Sequence, residues 1–443
     1  MRAWAARLTD MVTYVRTVPL IYVLPAIALA ILLQIQISLF RHEGYLGLRI
    51  NAADLILPLL GILVFARLAF RKDRLPAWRI RGFYIWISAL SALMTFALFN
   101  GYNNTGEWNT WALVNKFTGW FVLVGYLGLG GWIAHSTGQQ GIAVVKSVSL
   151  IFWGIVTIAS LAWLISFDLK YDLTYYPMGS LMANRNAYAF LWFCMLALMT
   201  TSQMCKTGKP VWWFYGMWAL VPLFYVYNGS RAGFVVFVFL MLVFGILHFR
   251  FTLRHILPPL LAGILACTLF YSNFPSYAYG LTSGNIQNSA QLIQAGKMSA
   301  DQANQMLEYE GDKMRMRTYG DALELWSRHP VTGGGLGSFQ TFQIEKHGEF
   351  KEIIDCTFLW LLAETGLAGL LALTLFFASG LWVLFKQIWK HDPTGLYLAV
   401  FLMMIIFAIM SLLHELLYTR FLWFFMGLAL AWPKEHAAAV KEA

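Results

Sequence analysis

The chain is expected to be an all-α, polytopic integral membrane protein of about twelve transmembrane helices with one large hydrophilic loop. Three observations predict this. Of its 443 residues, 59% are hydrophobic and only 12% charged, more apolar surface than a water-soluble chain of this length could keep from solvent. The apolar residues form runs of roughly 18 to 25, each long enough to cross ~30 Å of hydrocarbon as a helix. The runs are continuous rather than alternating, which argues against a transmembrane β-barrel.

In chain order the spacing predicts spans at 18–39, 53–70, 82–100, 117–136, 147–167, 187–204, 211–228, 232–249, 256–275, 357–385, 395–417 and 421–433. Residues 1–275 thus hold the first nine spans, 276–356 form the loop, and 357–443 hold the last three with a tail, all as one integral domain. Arg2, Arg7 and Arg16 precede the first run, and no short apolar core with a small-residue cleavage site follows, so that span is expected to remain as an anchor. Counting Lys and Arg in the short loops sets the orientation. Arg71, Lys72, Arg74, Arg79, Arg81, Lys146, Lys206, Lys209, Arg250, Arg254, Lys386 and Lys390 gather on one face, which the rule makes cytoplasmic. Both termini then lie inside and the long loop outside. The net charge of +10 fits basic loops against anionic lipid rather than nucleic acid. Cys194, Cys205, Cys267 and Cys356 are too scattered for a disulfide framework or a metal site.

Within the loop, Ser299 or Asp301 is placed to start a helix, and Asp312 to Arg328 has helical spacing. Met316, Tyr319, Leu323 and Trp326 share one side there, predicting a surface helix packed on the bundle through that stripe. Gly333, Gly334, Gly335 and Gly337 lack the Lys-Ser or Lys-Thr of a nucleotide loop. They read as a turn after His329-Pro330 that lets backbone approach something closely. No internal repeat and no matched pair of interrupted helices stands out.

The chemistry-bearing residues collect at the outer ends of the spans. Lys116, Arg185, Arg231 and Arg420 each sit at the outer end of a different run, and Arg315 and Arg317 lie in the outer loop. Any one of them alone reads as a snorkelling side chain. Together they read as a cationic rim suited to a lipid-borne diphosphate, because guanidinium forks match phosphate oxygens and neutralise a departing anion. Asp355, just before span ten, is either the cap of that helix or a base for a sugar hydroxyl. His347 and His414 are alternative bases. His414 stands beside Glu415 inside predicted span eleven, as an interhelical hydrogen-bonding pair or a functional one. Trp108, Trp111, Tyr175 and Tyr176 belong to an interfacial belt or to a sugar-stacking surface.

Four segments carry a family resemblance: Gly179-Ser-Leu-Met-Ala-Asn-Arg-Asn186, Gly229-Ser-Arg-Ala-Gly233, the stretch from Arg317 to Phe339 ending His329-Pro-Val-Thr-Gly-Gly-Gly-Leu-Gly-Ser-Phe339, and Leu359-Trp-Leu-Leu-Ala-Glu-Thr-Gly-Leu-Ala-Gly-Leu370. In this order they resemble the O-antigen ligase / Wzy-type O-antigen polymerase superfamily of bacterial envelope polysaccharide glycosyltransferases. The resemblance implies a GT-C-like enzyme of the inner membrane with its active site on the periplasmic side. It would move a glycan from undecaprenyl diphosphate to an acceptor hydroxyl by inverting, metal-independent transfer, without a nucleotide sugar or other cofactor. It implies that Arg231 and Arg317 hold the diphosphate, with Arg185 assisting. Ligases of the family carry a His-Asn-type pair eleven residues before the glycine that is Gly366 here, whereas this chain has Asp355-Cys356. A carboxylate there is more like the polymerase branch. The expectation is therefore a surface-polysaccharide polymerase, with the ligase that attaches glycan to lipid A core as runner-up and a lipid-linked oligosaccharide transporter as the rival of another class. The implied partners are the lipid-linked donor, a glycan or lipid-linked acceptor, the bilayer and a chain-length regulator, with no nucleic acid.

Overall fold

The computed structural model describes residues 75–166, 185–270, 300–390 and 392–432, apart from positions 207, 229, 351, 352 and 393, together with short pieces between residues 24 and 62. The two spans expected at 18–39 and 53–70 therefore lie mostly outside the described residues. Where the first is described, Leu24 is helical and Gln36–Leu39 is extended. Strand β1 (Gln36–Leu39) pairs antiparallel with β2 (Leu48–Asn51), Gln36 opposite Asn51. Both four-residue segments alternate polar and apolar side chains, a period of two that suits a strand. The hairpin is a small addition to a chain whose other named elements, among the described residues, are helical.

The rest of the described chain runs as helices. α1 (Phe83–Thr105) lies between two glycines of left-handed conformation, Gly82 and Gly106. A π-helical segment, Ala112–Thr118, leads into α2 (Gly119–Ser166), which breaks at Gly138 (φ 61°, ψ −151°). Unbroken, α2 alone would be about 70 Å long at 1.5 Å per residue, over twice the hydrocarbon thickness. The break divides it, in keeping with the two runs expected there. α3 (Arg185–Met204) follows. The span expected at 211–228 is instead two short helices, α4 (Trp212–Ala219) and α5 (Val221–Asn228). Pro222, near the junction, has no N–H for an intrahelical bond to the carbonyl four residues back. Next come α6 (Arg231–Leu247), a turn at Phe249–Phe251 with a π-helical segment Thr252–Ile256, and α7 (Leu257–Phe270). Arg250 and Arg254 thus belong to helical turns rather than to a loop.

The expected outer loop holds α8 (Ala300–Arg328) and α9 (Ser338–His347). The expected packing face of α8 holds only in part: Tyr319 packs against the core and Trp326 is half-buried. Met316 is 70% exposed and Leu323 46%, whereas Thr318, Asp321, Ala322 and Leu325 are buried. The buried set repeats at helical spacing, and its one charged member is inward because partners on α9 meet it. α10 (Thr357–Lys390) breaks at Gly366, and α11 (Leu396–Ser411) and α12 (Arg420–Leu430) complete the bundle. α11 stops at Ser411, so His414 and Glu415 lie beyond it and not inside a span.

Among the described residues, five helical stretches, Phe83–Thr105, Ala112–Ile158, Asn186–Met204, Phe249–Leu269 and Thr357–Trp389, are long and apolar enough to cross a membrane. α6, α11 and α12 are apolar but shorter. In α3 the apolar window is 89% buried, which makes it a central helix with α11 along it. α12 lies so close to α2 that a side chain at Gly427 would strike the Leu127 backbone, and one at Gly130 the Phe424 carbonyl. Such close approach lets dispersion hold two helices together where lipid removes the hydrophobic drive.

Candidate active site

One polar knot ties the starts of three helices. Ser230 caps α6, its Oγ accepting from Gly233 N–H at 3.1 Å, and donates to Asn186 Oδ1 at 2.8 Å. The amide nitrogen of Asn186, on the first turn of α3, lies 3.3 Å from His414 Nδ1. The Thr357 hydroxyl at the head of α10 donates to the His414 carbonyl and accepts from Leu416 N–H, both at 3.0 Å. Asn186, Ser230, Thr357 and His414 are all buried, where each unmade hydrogen bond would cost about 1–3 kcal/mol, so the knot fixes the helix starts in register. The N-termini of α3, α6 and α10 therefore gather at one end of the bundle, bringing their positive dipole ends together. Arg185 opens α3, an exposed Arg231 opens α6, and Asp355 lies two residues before α10. Residues spread over 170 positions of sequence share one rim.

Asp355 is half-buried, with Oδ2 3.4 Å from Arg315 Nε on α8. The residue directly before α10 is Cys356, whose sulfur takes hydrogen bonds from the Phe358 and Leu359 N–H groups. Asp355 thus stands one position outside the cap. Arg317 is two residues on from Arg315, about 200° round the helix axis, and it reaches elsewhere. Its Nη2 donates to His347 Nδ1 at 2.8 Å, and His347 Nε2 lies 2.9 Å from Asp321 Oδ2. Lys346 Nζ donates to the other oxygen of Asp321 at 2.8 Å and also to Glu324. Burial pushes the Asp321 pKa up, but the hydrogen bonds from Lys346 and His347 outweigh it and hold the group below its ordinary range. The same bonds raise the Lys346 pKa.

The six outer cations are not one open cluster. Lys116 is buried, paired with Glu415, and caged by rings, its Nζ 4.2 Å from the Trp360 centroid, 4.9 Å from Trp111 and 5.0 Å from Tyr418. Arg420 makes a two-pronged pair with Asp54 at 2.6 and 3.1 Å. His414 and Glu415 do not face each other as an isolated pair; each reaches a different helix. Charge complementarity disperses what sequence position alone grouped together.

The glycine run approaches the break in α10. Gly334 and Gly335 N–H donate to the carbonyls of Ala363 and Glu364, while Leu367 and Ala368 N–H donate to Pro330 and Val331. Asn100 and Asn104 of α1 hold the Gly333 and Gly334 carbonyls, each at 2.9 Å. Glu364, fully enclosed, accepts from Gly337 N–H at 3.1 Å and from the Trp360 indole at 2.8 Å. It lines a cavity with Trp111, Lys116, Ile354, Trp360 and Glu415.

Sequence reasoning passed over Asn186, Ser230, Thr357 and Glu364 as individual residues. Asn186 and Ser230 lie within the segments already singled out, and an acid inside an apolar run was itself a signal for Glu364. Among the described residues no cluster of three or more His, Cys, Asp or Glu side chains could hold a metal ion.

Residues 216–374 match the family model described as Wzy_C, O-antigen ligase. That stretch includes Arg231, Arg315, Arg317, His347 and Asp355. Arg185, Lys116, His414 and Arg420 lie outside it. No curated protein matches the chain.

Proposed function

Taking the match over residues 216–374 as support for this chain's place in the O-antigen ligase / Wzy-type superfamily, we propose that it is a membrane glycosyltransferase that extends a surface polysaccharide. Its donor would be a glycan on undecaprenyl diphosphate, and its acceptor a sugar hydroxyl at the periplasmic face of the inner membrane. The observation that carries this reading is the convergence of three helix N-termini, with Arg231 and Asp355, at one end of the bundle.

Arg231 and Arg317 would seat the diphosphate, with Arg185 beside them and the helix dipoles adding to the positive field. Asp355, steadied by Arg315, would accept the proton of the acceptor hydroxyl. The oxygen attacks the anomeric carbon from the face opposite the phosphate. The carbon–oxygen bond to phosphate breaks, and its electron pair leaves with undecaprenyl diphosphate, where the arginines neutralise it. Lys116 and Arg420, already matched to carboxylates, serve the scaffold. Transfer to a lipid A core is the second reading, favoured by the family model's own description. The carboxylate at position 355 favours polymerisation instead.

Purified protein in lipid nanodiscs, given lipid-linked repeat units, should produce a ladder of longer glycans. Arg231→Ala should abolish the ladder, and Lys386→Ala at the far end of α10 should leave it intact. Asp355→Asn should slow transfer by roughly 10²–10⁴-fold, the usual contribution of a general base. Full activity in Asp355→Asn would remove the base assignment. Product formed only with a lipid A core acceptor would decide for the ligase. Lipid movement without new glycosidic bonds would mean a transporter.

A further inference from the structure

We infer that His347 is a positioning residue that pins the guanidinium of Arg317 without cancelling its charge, so that Arg317 is preset for a diphosphate. The inference rests on the proposed function and deepens it. Arginine only donates hydrogen bonds, so His347 Nδ1, 2.8 Å from Arg317 Nη2, has to be the acceptor. The imidazole hydrogen then sits on Nε2 and is given to Asp321 Oδ2 at 2.9 Å. Asp321 is 4% exposed and in turn takes Lys346 Nζ at 2.8 Å, so its charge is answered from α9 and not by Arg317. The order is Lys346, Asp321, His347, Arg317, with the imidazole standing between the acid and the guanidinium.

The other arginines of this end show what the interposed ring achieves. Arg420 lies directly on Asp54, and Arg315 beside Asp355. A carboxylate in contact supplies the counter-charge that a phosphate would otherwise bring, and the ligand must displace it. A neutral ring nitrogen restricts the same side chain while leaving its positive charge to the ligand. An arginine has about 2 kcal/mol of rotamer freedom, and holding it in place before binding removes part of that cost. The remaining N–H groups of Arg317, an exposed residue on α8, keep their donors for phosphate oxygens. This arrangement also argues against His347 as the base, since both ring nitrogens are engaged.

The test compares wild type, His347→Leu and His347→Gln in nanodiscs, measuring undecaprenyl diphosphate binding directly and donor transfer separately. Glutamine can offer an oxygen to Arg317 and an N–H to Asp321; leucine can do neither. His347→Leu should weaken undecaprenyl diphosphate about tenfold and raise KM for the donor with kcat little changed, as expected for loss of one charge-assisted contact's preorganisation. His347→Gln should recover affinity to within about threefold. Equal binding by wild type and His347→Leu would overturn the inference and leave the proposed function standing. A kcat collapse in His347→Gln with binding retained would make His347 the base and also overturn it. If wild type itself does not bind undecaprenyl diphosphate, the functional reading falls, and this inference with it. Should His347→Leu not fold, the glutamine variant decides alone by the same split between KM and kcat.

Discussion

Gly366 holds the break in α10 at φ 67° and ψ −170°, a region of backbone space open almost only to glycine. A Cβ there would also strike the Val331 carbonyl and the Gly333 nitrogen. The carbonyls of Ala363 and Glu364 and the N–H groups of Leu367 and Ala368 flank the break, and all four are taken by the loop from Pro330 to Gly335. An interrupted helix inside an apolar run is tolerable only when neighbouring protein supplies such partners. Gly366→Ala should therefore lower stability by roughly 3–5 kcal/mol, combining backbone strain with a steric clash. Gly348→Ala, also left-handed (φ 77°) but with open space around it, should cost only about 1 kcal/mol. Thermal unfolding in detergent would compare them, and equal losses would show that the loop does not pack against the break as described. The sequence predicted that the glycine run lets backbone approach something closely. It gave no sign of what, because within Leu359 to Leu370 nothing in the sequence sets Gly366, where the helix breaks, apart from Gly369, where it does not.

At the scale of elements, α8 shows where periodicity misleads. Two stripes of similar spacing run along it, and in the more apolar one Met316 and Leu323 are exposed while Tyr319 and Trp326 are half-buried. The inward stripe includes Asp321, whose burial makes sense only with Lys346 and His347 opposite, and those lie on α9, twenty-five and twenty-six residues on. Pattern reading cannot see a partner that folding supplies. The clamp between α8 and α9 has a pH signature. Asp321 has a lowered pKa in the folded state, so its contribution is present above the ordinary carboxylate pKa of 3.8 and is lost as pH falls through the folded value. Lys346 has a raised pKa, so its contribution is present below 10.5 and is lost as pH rises through the folded value. Amide protection of α9 should then fall on the acid side below about pH 4, as Asp321 is protonated, and on the alkaline side above about pH 10.5, as Lys346 loses its proton. Lys346→Met should remove the alkaline limb and lower the plateau. Protection of α9 that stays constant down to pH 2 would show that the clamp is not held by these ions.

For the whole molecule, the five long apolar stretches found among the described residues were legible in the sequence, because crossing a bilayer demands a set length of apolar helix. The cationic rim was legible only in part. Position at a span end brought Arg185, Arg231 and Asp355 to one place, but whether a cation faces a ligand or a buried acid depends on residues far away, Asp54 for Arg420 and Glu415 for Lys116. The two ends of the bundle differ in kind. The polar knot, α8 and α9 lie where α3, α6 and α10 begin, while Lys206, Lys209, Arg250, Arg254, Lys386 and Lys390 lie at or beyond the ends of those same helices. Basic residues tend to stay on the cytoplasmic side, so the knot end is expected to face outward, the side on which the proposed reading puts its lipid-linked donor. Cys205 and Met316 report the two ends: Cys205 is exposed just past the last turn of α3, and Met316 is 70% exposed on α8. α3 is about 30 Å long, so the two positions are separated by roughly a bilayer core. An impermeant maleimide applied to intact cells should modify Met316→Cys in a Cys205→Ser background and leave the wild-type protein unmodified until the membrane is opened. Modification of Cys205 in intact cells, with Met316→Cys protected, would turn the molecule over, put the rim in the cytoplasm, and remove the periplasmic transfer reaction with it.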